Sequence, residues 1–305
     1  MGQVPEDFKI TGAIAAPATA LKSNGDVNPE AVADYVNFLA NNEIDGVFVL
    51  GTLGEGLSLS VSERKEVAEA WVKEAKDKLS SVIVHVGAGN IRDSIELAQH
   101  AQKIGATAIA CMLPSYFKPS TEAVAVEYIQ QVAAAAPETP FYYYCINFMS
   151  GIYLNTAKIL ELASGRIPNL RGAKISSREL PSLLDSSRVC GGKLQIMVGT
   201  DEQFLPCLTL GIRVPVLNSF LGSLYKRLLK AFDAGDMDTA RDEMVQARKL
   251  VLIRSKYIDG PAYVKAAMKC LGVDLGPVRL PLEDMPEHLL PSLKQDLKDL
   301  GLPVQ

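Results

Sequence analysis

The stretch Leu170-Arg171-Gly172-Ala173-Lys174-Ile175-Ser176-Ser177 decides how the chain is organised. Small and apolar residues lead into a lysine, two serines follow it, and a helix-like segment begins near Arg178. This pattern predicts a short strand that ends in a βα turn, with Lys174 near the carboxyl end of the strand. Because an isolated buried ammonium is costly, Lys174 is either an amine nucleophile for a carbonyl substrate or a lysine that is salt-bridged or reaches solvent.

Outward from this strand, the chain contains eight short apolar or β-rich runs, most of which lead into a helix-like segment. They are Thr11–Pro17, Gly46–Leu50, Val82–Val86, Ala108–Leu113, Phe141–Ile146, Gly172–Ile175, Gln195–Val198 and Val214–Leu217. Strands that alternate with helices form parallel sheets through right-handed crossovers. Eight such units predict an α/β fold, a closed (β/α)8 TIM barrel.

After the eighth run the alternation stops and only helix-like segments follow. They are Leu224–Ala234, Met237–Tyr257, Pro261–Leu271 and His288–Leu300. The length of 305 residues suits one barrel of about 250 residues with an appendage. We therefore expect a barrel over residues 1–222 and a helical C-terminal extension over residues 223–305, packed on the barrel as a single structural unit.

Composition and charge argue against several classes of protein. A net charge of −4 and a pI near 5.6 give no electrostatic case for binding nucleic acid or an anionic membrane. No apolar run reaches the roughly 18 residues of a membrane span. The acidic segment Met1–Asp7 lacks the apolar core of a secretory signal. Five scattered cysteines without a C-x-x-C pair predict free thiols in a reducing compartment, so we expect a cytoplasmic protein.

In a barrel of this kind, chemistry takes place in the loops that follow the strands. After the second run, Gly51–Gly56 (GTLGEG) predicts a tight turn whose backbone N–H groups bind a substrate carboxylate, or a turn that only reverses the chain. In the fifth run, Tyr142 and Tyr144 share one face of the strand and Tyr143 points the other way. A phenol at the strand end can transfer protons or simply pack against its neighbours.

The segment Gly199–Gln203 (GTDEQ) follows the seventh run and places two adjacent carboxylates at the start of a helix. They either complement the helix dipole or accept hydrogen bonds from a polyol. The three histidines, His85, His100 and His288, lie too far apart in sequence to suggest a metal site. His85 sits in an apolar strand, where we expect a core residue.

These motifs resemble the N-acetylneuraminate lyase (sialic acid aldolase) family, within the dihydrodipicolinate synthase superfamily. The likeness covers nearly the whole chain. It is strongest in Gly51–Val72 (GTLGEGLSLSVSERKEVAEAWV), Ala133–Tyr144 (AAAAPETPFYYY), Gly199–Gln203 (GTDEQ) and Gly276–Leu282 (GPVRLPL). The resemblance implies a (β/α)8 barrel with C-terminal helices, usually a homotetramer. It also implies cleavage of a sialic acid to pyruvate and N-acetylmannosamine, without a metal or an organic cofactor.

The resemblance further implies roles for individual residues. Lys174 matches the lysine that forms a Schiff base, and Tyr144 matches the tyrosine that moves protons to and from the substrate. Thr52 matches the first hydroxyl of the carboxylate-binding turn, and Ser176 matches a hydroxyl that contacts substrate. Tyr116 matches a tyrosine that supports the catalytic tyrosine. The residues that match those holding the polyol tail of the sugar are Gly199, Asp201 and Glu202.

The sequence departs from the family pattern at three further positions, and a fourth position argues against a related activity. Leu53 replaces the second threonine of the carboxylate-binding turn, and losing one preorganised donor in a site costs roughly 10²–10³ in rate. Asn147 replaces a proline after the tyrosine, and Asn218 stands where a substrate-binding serine is expected. Met149 replaces the arginine with which dihydrodipicolinate synthase grips its aldehyde substrate, which disfavours that activity.

Three hypotheses follow from the sequence. The first is a class I pyruvate-dependent aldolase that acts on N-acetylneuraminate or a close 2-keto sugar acid. The second keeps the Schiff base but changes the 2-keto substrate. The third is a non-catalytic homologue that binds a sugar or serves a structural role.

Overall fold

Eight strands, hydrogen-bonded in chain order, form a closed barrel in a computed structural model, which describes residues 4–305. This confirms the predicted (β/α)8 architecture. Met1–Gln3, part of the acidic start considered above, lie outside the described residues. The strands are β1 Ile14–Ala15, β2 Gly46–Val49, β3 Ser81–His85, β4 Ala108–Cys111, β5 Phe141–Cys145, β6 Leu170–Ile175, β7 Gln195–Val198 and β8 Val214–Leu217.

Helices alternate with the strands and then continue beyond them. Those up to β8 are α1 Val32–Asn41, α2 Val61–Ala75, α3 Ile91–Lys103, α4 Glu122–Ala134, α5 Asn147–Ser150, α6 Thr156–Ser164, α7 Leu180–Arg188 and α8 Phe204–Thr209. The later ones are α9 Gly222–Asp233, α10 Met237–Ile253, α11 Pro261–Cys270 and α12 Leu290–Asp299. All four predicted C-terminal helices are therefore present. No helix within residues 4–305 combines the length and the apolar character needed to cross a membrane.

The first strand is shorter than the sequence predicts. We expected extended structure over Thr11–Pro17, but only Ile14–Ala15 form a strand. Gly12 has a φ of +82°, a left-handed conformation that interrupts an extended run. Pro17 carries no N–H to donate to a neighbouring strand, so the pairing cannot continue through it.

By their contacts, the described residues group into two compact units, and each is described by itself below. The first unit consists of residues 4–12 and 81–216, and the second of residues 13–80 and 217–305. The expected boundary between residues 222 and 223 separates the barrel from its appendage, and it stays a prediction.

In the first unit, a hydrogen-bonded group of three residues lies at the amino end of β7. The Gln195 side chain accepts from the Ile10 N–H at 2.9 Å and from the Tyr142 hydroxyl at 2.8 Å, and donates to the Ile10 carbonyl at 2.7 Å. Gly172 on β6 passes so close to Gln195 that a Cβ at residue 172 would collide with the main-chain carbonyl oxygen of Gln195. Tyr142 is therefore a structural residue of this layer.

Also in the first unit, Arg171 binds the start of the chain. Its guanidinium donates to the carbonyl of Val4 at 2.5 Å and to that of Pro5 at 2.7 Å. Two further bonds go to the carbonyls of Pro168 and Leu170. This buried arginine is thus satisfied entirely by main-chain oxygens, three residues before Lys174.

In the second unit, β1 pairs with β2 in parallel, with Ile14 opposite Gly46. The chain after β1 also bonds the end of β8, since the Ala16 N–H donates to the Leu217 carbonyl at 2.8 Å. The Tyr35 ring packs against Trp71 at 5.5 Å between centroids. These contacts give the second unit its own core.

Candidate active site

Lys174 and Tyr144 lie side by side on neighbouring strands of the first unit. The parallel register of β5 and β6 sets Tyr144 opposite Lys174. Both side chains are buried, and the lysine Nζ lies 4.2 Å from the centroid of the tyrosine ring. A lysine at the surface, or a tyrosine on a distant strand, would have ended the aldolase hypothesis. The structure brings the two side chains together as that hypothesis requires.

Burial changes the protonation of Lys174. Loss of hydration penalises the ammonium and lowers the pKa of Lys174 from 10.5 to about 7, and the negative charge of Asp201 opposes this shift. At neutral pH an ordinary lysine is an uncharged amine in only roughly one molecule in a few thousand. With a pKa near 7, about half of the Lys174 side chains are uncharged at that pH. The site therefore supplies a nucleophilic amine without a separate base.

The charge on Asp201 gives a first testable prediction. Because Asp201 raises the pKa of Lys174, Asp201→Asn should move it below the present value of about 7. The rate of reductive trapping of pyruvate on the protein would then reach half its maximum at a lower pH than in the wild type. Trapping rates between pH 5 and 9 measure that midpoint. Glu202→Gln is the matched control, because Asp201 is the charge that acts on Lys174. If the pH midpoint of trapping in Asp201→Asn equals that of the wild type, the prediction is wrong.

Gly199, directly after β7, leaves room for the lysine. A Cβ built at this position would collide with the Ser176 Oγ and lie 3.0 Å from the Lys174 Cε. The Gly199 N–H donates to the Ile175 carbonyl at 2.9 Å, which fixes the backbone at this distance. A glycine is therefore needed at this position, because the backbone of residue 199 passes close to the side chains of both Ser176 and Lys174.

The loop after Gly199 is held by its own side chains. The Thr200 hydroxyl donates to the Gln203 side-chain oxygen at 3.0 Å, and the Gln203 amide donates to the Arg178 carbonyl at 2.9 Å. Asp201 is buried, and Glu202 lies 3.7 Å from the Arg178 guanidinium. Asp201 thus belongs to the electrostatic environment of the lysine, whereas Glu202 lies within ion-pair distance of Arg178.

Two further residues near the tyrosine were not assigned a role from the sequence. His85 on β3 is buried, as expected for a core residue, and its ring packs edge-on against Tyr144 at 5.6 Å. Asn147 accepts a hydrogen bond from the Cys145 thiol at 2.6 Å, which accounts for a polar residue where a proline is usual. The register sets His85 level with Ala110 and Ala110 level with Tyr142, so the contact with Tyr144 is made by the side chains and no sequence pattern predicts it.

The supporting tyrosine and the other predicted binding residues are not gathered at Lys174 within the first unit. Tyr116 is 88% exposed and stacks edge-on against Phe117 at 4.9 Å. Thr52, Leu53 and Asn218 belong to the second unit. The roles assigned to these residues stay predictions.

In the second unit, Gly51–Gly56 forms the tight turn that the sequence predicts. The Gly56 N–H donates to the Gly51 carbonyl at 3.1 Å, and the Glu55 N–H donates to the Thr52 carbonyl at 3.1 Å. The buried Thr19 hydroxyl donates to the Gly54 carbonyl at 2.6 Å. Thr52 and Leu53 lie at the tip of this turn, half-buried.

Comparison with known proteins identifies relatives over nearly the whole chain. The sequence model of the dihydrodipicolinate synthetase family matches residues 9–300. N-acetylneuraminate lyase of Homo sapiens is 37% identical over 299 residues, which cover 96% of this chain and 93% of the relative. Two solved structures are similar. N-acetylneuraminate lyase of Aliivibrio salmonicida has a TM-score of 0.92 at 35% identity, covering 97% of this chain and 98% of its own. A catalytic lysine mutant of Ruminococcus gnavus sialic acid aldolase has a TM-score of 0.88 at 29% identity, covering 100% of each chain.

Proposed function

Because the chain belongs to the dihydrodipicolinate synthetase family, we propose that it is a class I aldolase, a carbon–carbon lyase. Its substrate is N-acetylneuraminate or a close 2-keto sugar acid, and its products are pyruvate and an aldehyde sugar such as N-acetylmannosamine. The observation that carries this proposal is the buried Lys174 amine, with its pKa near 7, placed 4.2 Å over the ring of Tyr144. A buried lysine with no chemical task would be an unexplained cost in free energy.

The reaction begins at Lys174. The uncharged amine attacks the C2 ketone of the substrate, and loss of water from the carbinolamine gives an iminium. The positive nitrogen then accepts the electron pair released when the C3–C4 bond breaks. This withdrawal of electrons makes the bond cleavage possible at neutral pH without a metal.

Tyr144 moves the proton. Its phenol oxygen takes the proton of the C4 hydroxyl as the C3–C4 bond breaks and the aldehyde sugar leaves, and the proton that the phenol held passes to C3 of the enamine. The enamine of pyruvate that remains on Lys174 is protonated at C3, and water hydrolyses the resulting iminium. Pyruvate and the free amine are regenerated. The position of Tyr144 opposite Lys174 in the strand register supports this role.

Other polar groups of the first unit suit the sugar. Ser176 meets Gly199 beside Lys174, so its hydroxyl is available to a substrate bound there. Asp201 and Glu202 offer carboxylate oxygens as hydrogen-bond acceptors for the hydroxyls of a polyol tail. This pair of hydrogen-bond acceptors suits a polyol better than a small dicarboxylic semialdehyde, which has no row of hydroxyl donors.

The Gly51–Gly56 turn binds the substrate carboxylate through backbone N–H groups and the Thr52 hydroxyl. Leu53 provides no hydroxyl where the family pattern has one, so the binding is weakened. Asn218, buried after β8, offers a carboxamide where the family pattern has a serine hydroxyl, so the hydrogen-bonding groups for the substrate differ here too. These departures are the specific reason to keep a second candidate, a Schiff-base lyase for a different 2-keto acid.

Leu53→Thr tests whether the missing hydroxyl limits the reaction. We expect the variant to cleave N-acetylneuraminate faster, by up to about 10²-fold in kcat/KM, because one preorganised donor is restored. Pyruvate release in a coupled assay measures the rate. Leu57→Thr, an exposed leucine of the same unit, is the control for a general effect of the substitution. An unchanged or lower rate in the Leu53 variant would refute the idea.

Borohydride reduction in the presence of pyruvate tests the proposed function itself. A mass adduct located on Lys174 supports an aldolase of either substrate class, and release of pyruvate from N-acetylneuraminate decides between the classes. Failure to trap any of several 2-keto acids would favour the non-catalytic sugar-binding homologue.

We also propose that the protein is a cytoplasmic homotetramer. Within residues 4–305, which hold all five cysteines, no disulfide is formed, as suits a reducing compartment. Several large apolar side chains of the first unit are exposed, and such surfaces are commonly covered in assemblies. They are Tyr116, Phe117, Phe148, Met149 and Tyr153. Sedimentation equilibrium measures the mass of the assembly.

A further inference from the structure

The GPVRLPL segment resembles the family strongly, yet the proposed mechanism leaves it without a task. In the second unit this segment contacts the carboxylate-binding turn. The main-chain N–H of Arg279 donates to the Oε2 of Glu55 at 2.8 Å. Glu55 is the fifth residue of the six-residue turn, three positions after Thr52. The C-terminal part of the chain therefore touches the turn through one carboxylate.

The second oxygen of Glu55 is paired with a buried lysine. Lys265 on α11 lies 2.7 Å from the Glu55 Oε1, and the two side chains are 4% and 1% exposed. The Lys265 ammonium also donates at 2.5 Å to the carbonyl of Pro277, which lies in the GPVRLPL segment two residues before Arg279. One carboxylate thus joins the turn, helix α11 and the GPVRLPL segment.

The side chain of Arg279 binds the chain that follows the turn. Its guanidinium donates to both oxygens of Glu63, at 2.6 and 2.9 Å, and to the Ser58 carbonyl at 2.9 Å. Another bond, of 2.5 Å, goes to the Gly25 carbonyl. Arg279 therefore holds the chain that follows the turn at several points, and a bidentate pair of this kind fixes orientation as well as distance.

The backbone of the turn depends on these contacts. Glu55 adopts a left-handed conformation, with φ of +52° and ψ of +29°, which is uncommon for a residue with a side chain. Leu50, directly before the turn, is also left-handed, with φ of +60°. Such residues persist where the surrounding structure determines them, and they cluster at ligand-binding positions. Glu55 is held here by its main-chain bonds to Thr52 and Ser58 together with its side-chain contacts.

Stability alone does not explain a buried ion pair. Replacing such a pair by apolar residues of similar volume is often neutral or stabilising, because both charges must lose their hydration. The Glu55–Lys265 pair is therefore better explained by the geometry that it imposes than by the free energy that it adds.

We propose that Glu55, Lys265 and Arg279 are positioning residues that set the backbone of the Gly51–Gly56 turn and so determine the preference for keto acids with a free carboxylate. This inference rests on the proposed function, in which the turn binds that carboxylate. None of the three residues takes part in the chemistry at Lys174. They act through the turn, and they determine specificity.

The test compares two ketones, one with a free carboxylate and one in which that carboxylate is masked as a neutral methyl ester. Borohydride trapping rates on Lys174 are measured with pyruvate and with methyl pyruvate, whose ester is neutral. In Glu55→Gln and in Lys265→Met we expect the ratio of the pyruvate rate to the methyl pyruvate rate to fall by about tenfold or more. A displacement of about 1 Å in a binding group can cost roughly 10²-fold. The methyl pyruvate rate itself should change by less than about threefold, because the neutral ester does not need the turn.

A double variant separates positioning from folding. Glu55→Leu with Lys265→Met replaces the pair by apolar side chains, which removes two buried charges but also the partners of the Arg279 N–H and the Pro277 carbonyl, so Tm should stay close to that of the wild type while the ratio stays low. The control is Glu243→Gln, which removes the exposed pair with Arg227 in the same unit and should leave the ratio unchanged. The proposal would be overturned if the folded double variant kept the wild-type ratio of pyruvate to methyl pyruvate trapping rates. It would also be overturned if each single variant lost both trapping rates equally. If the wild type traps neither ketone, the proposed function fails and this inference fails with it.

Discussion

Replacing Lys174 with methionine is expected to abolish both the borohydride adduct and the cleavage of N-acetylneuraminate. Methionine is similar in length and has no amine, so no iminium can form. Loss of a covalent nucleophile costs on the order of 10⁴-fold or more in kcat. Mass spectrometry after reduction and a coupled pyruvate assay measure the two effects. Lys158→Met, which removes an exposed lysine paired with Glu161, is the control and should retain the adduct.

The same Lys174 variant should be more stable than the wild type at neutral pH. The folded pKa of Lys174, about 7, lies below the ordinary value of 10.5, so the unfolded chain binds more protons between these values. The wild type therefore carries a penalty that is fully present below pH 7 and disappears above about pH 10.5. Urea unfolding at pH 7 and at pH 10.5 measures the difference. A variant with no activity and lower stability would show that the loss is one of folding.

Replacing Tyr144 with phenylalanine is expected to lower kcat by about 10²–10⁴-fold while leaving the pyruvate adduct intact. The ring remains, so its contacts with His85 and Lys174 are kept, and only the hydroxyl that moves the proton is lost. The prediction therefore separates carbon–carbon cleavage from Schiff-base formation. Steady-state kinetics and reductive trapping of the same preparation supply both measurements.

Tyr142→Phe is the matched control for this prediction. Tyr142 lies two residues earlier on the same strand and donates its hydroxyl to Gln195 in the structural layer below the site. Its loss should cost about 1 kcal/mol of stability and little of kcat. A Tyr144 variant that keeps kcat within about threefold of the wild type would remove the tyrosine from the mechanism.

The fold and the pairing of Lys174 with Tyr144 could be predicted from the sequence for physical reasons. Strand side chains alternate, so Tyr144 and Lys174 could each be placed on a face of a strand. Parallel strands that are neighbours in the chain are commonly neighbours in the sheet, which brings β5 and β6 together. The exposed or buried state of the amine then decides its chemistry, and the strand pattern around Lys174 left open whether the amine is buried or reaches solvent.

Other features depend on contacts that no local pattern encodes. The pairing of Glu55 with Lys265 joins residues far apart in the chain, and GTLGEG alone predicts only a turn. The length of β1 depended on the conformation of Gly12, which the apolar run around it did not show. Tyr116 lies in a loop, where residue type gives little information about exposure. Leu53 was recognised as a departure only because the surrounding motif resembles a family.

The absence of a side chain at residue 199 limits how the substrate range of this protein can be engineered. Saturation libraries gain from positions where many residue types fold, whereas any Cβ at residue 199 would displace the Ser176 hydroxyl and crowd the Lys174 Cε. Diversity is better introduced at the tip of the glycine-rich turn, where Thr52 and Leu53 are half-buried. Selection for new aldol acceptors should therefore return clones that vary at residue 53 and are invariant at residue 199.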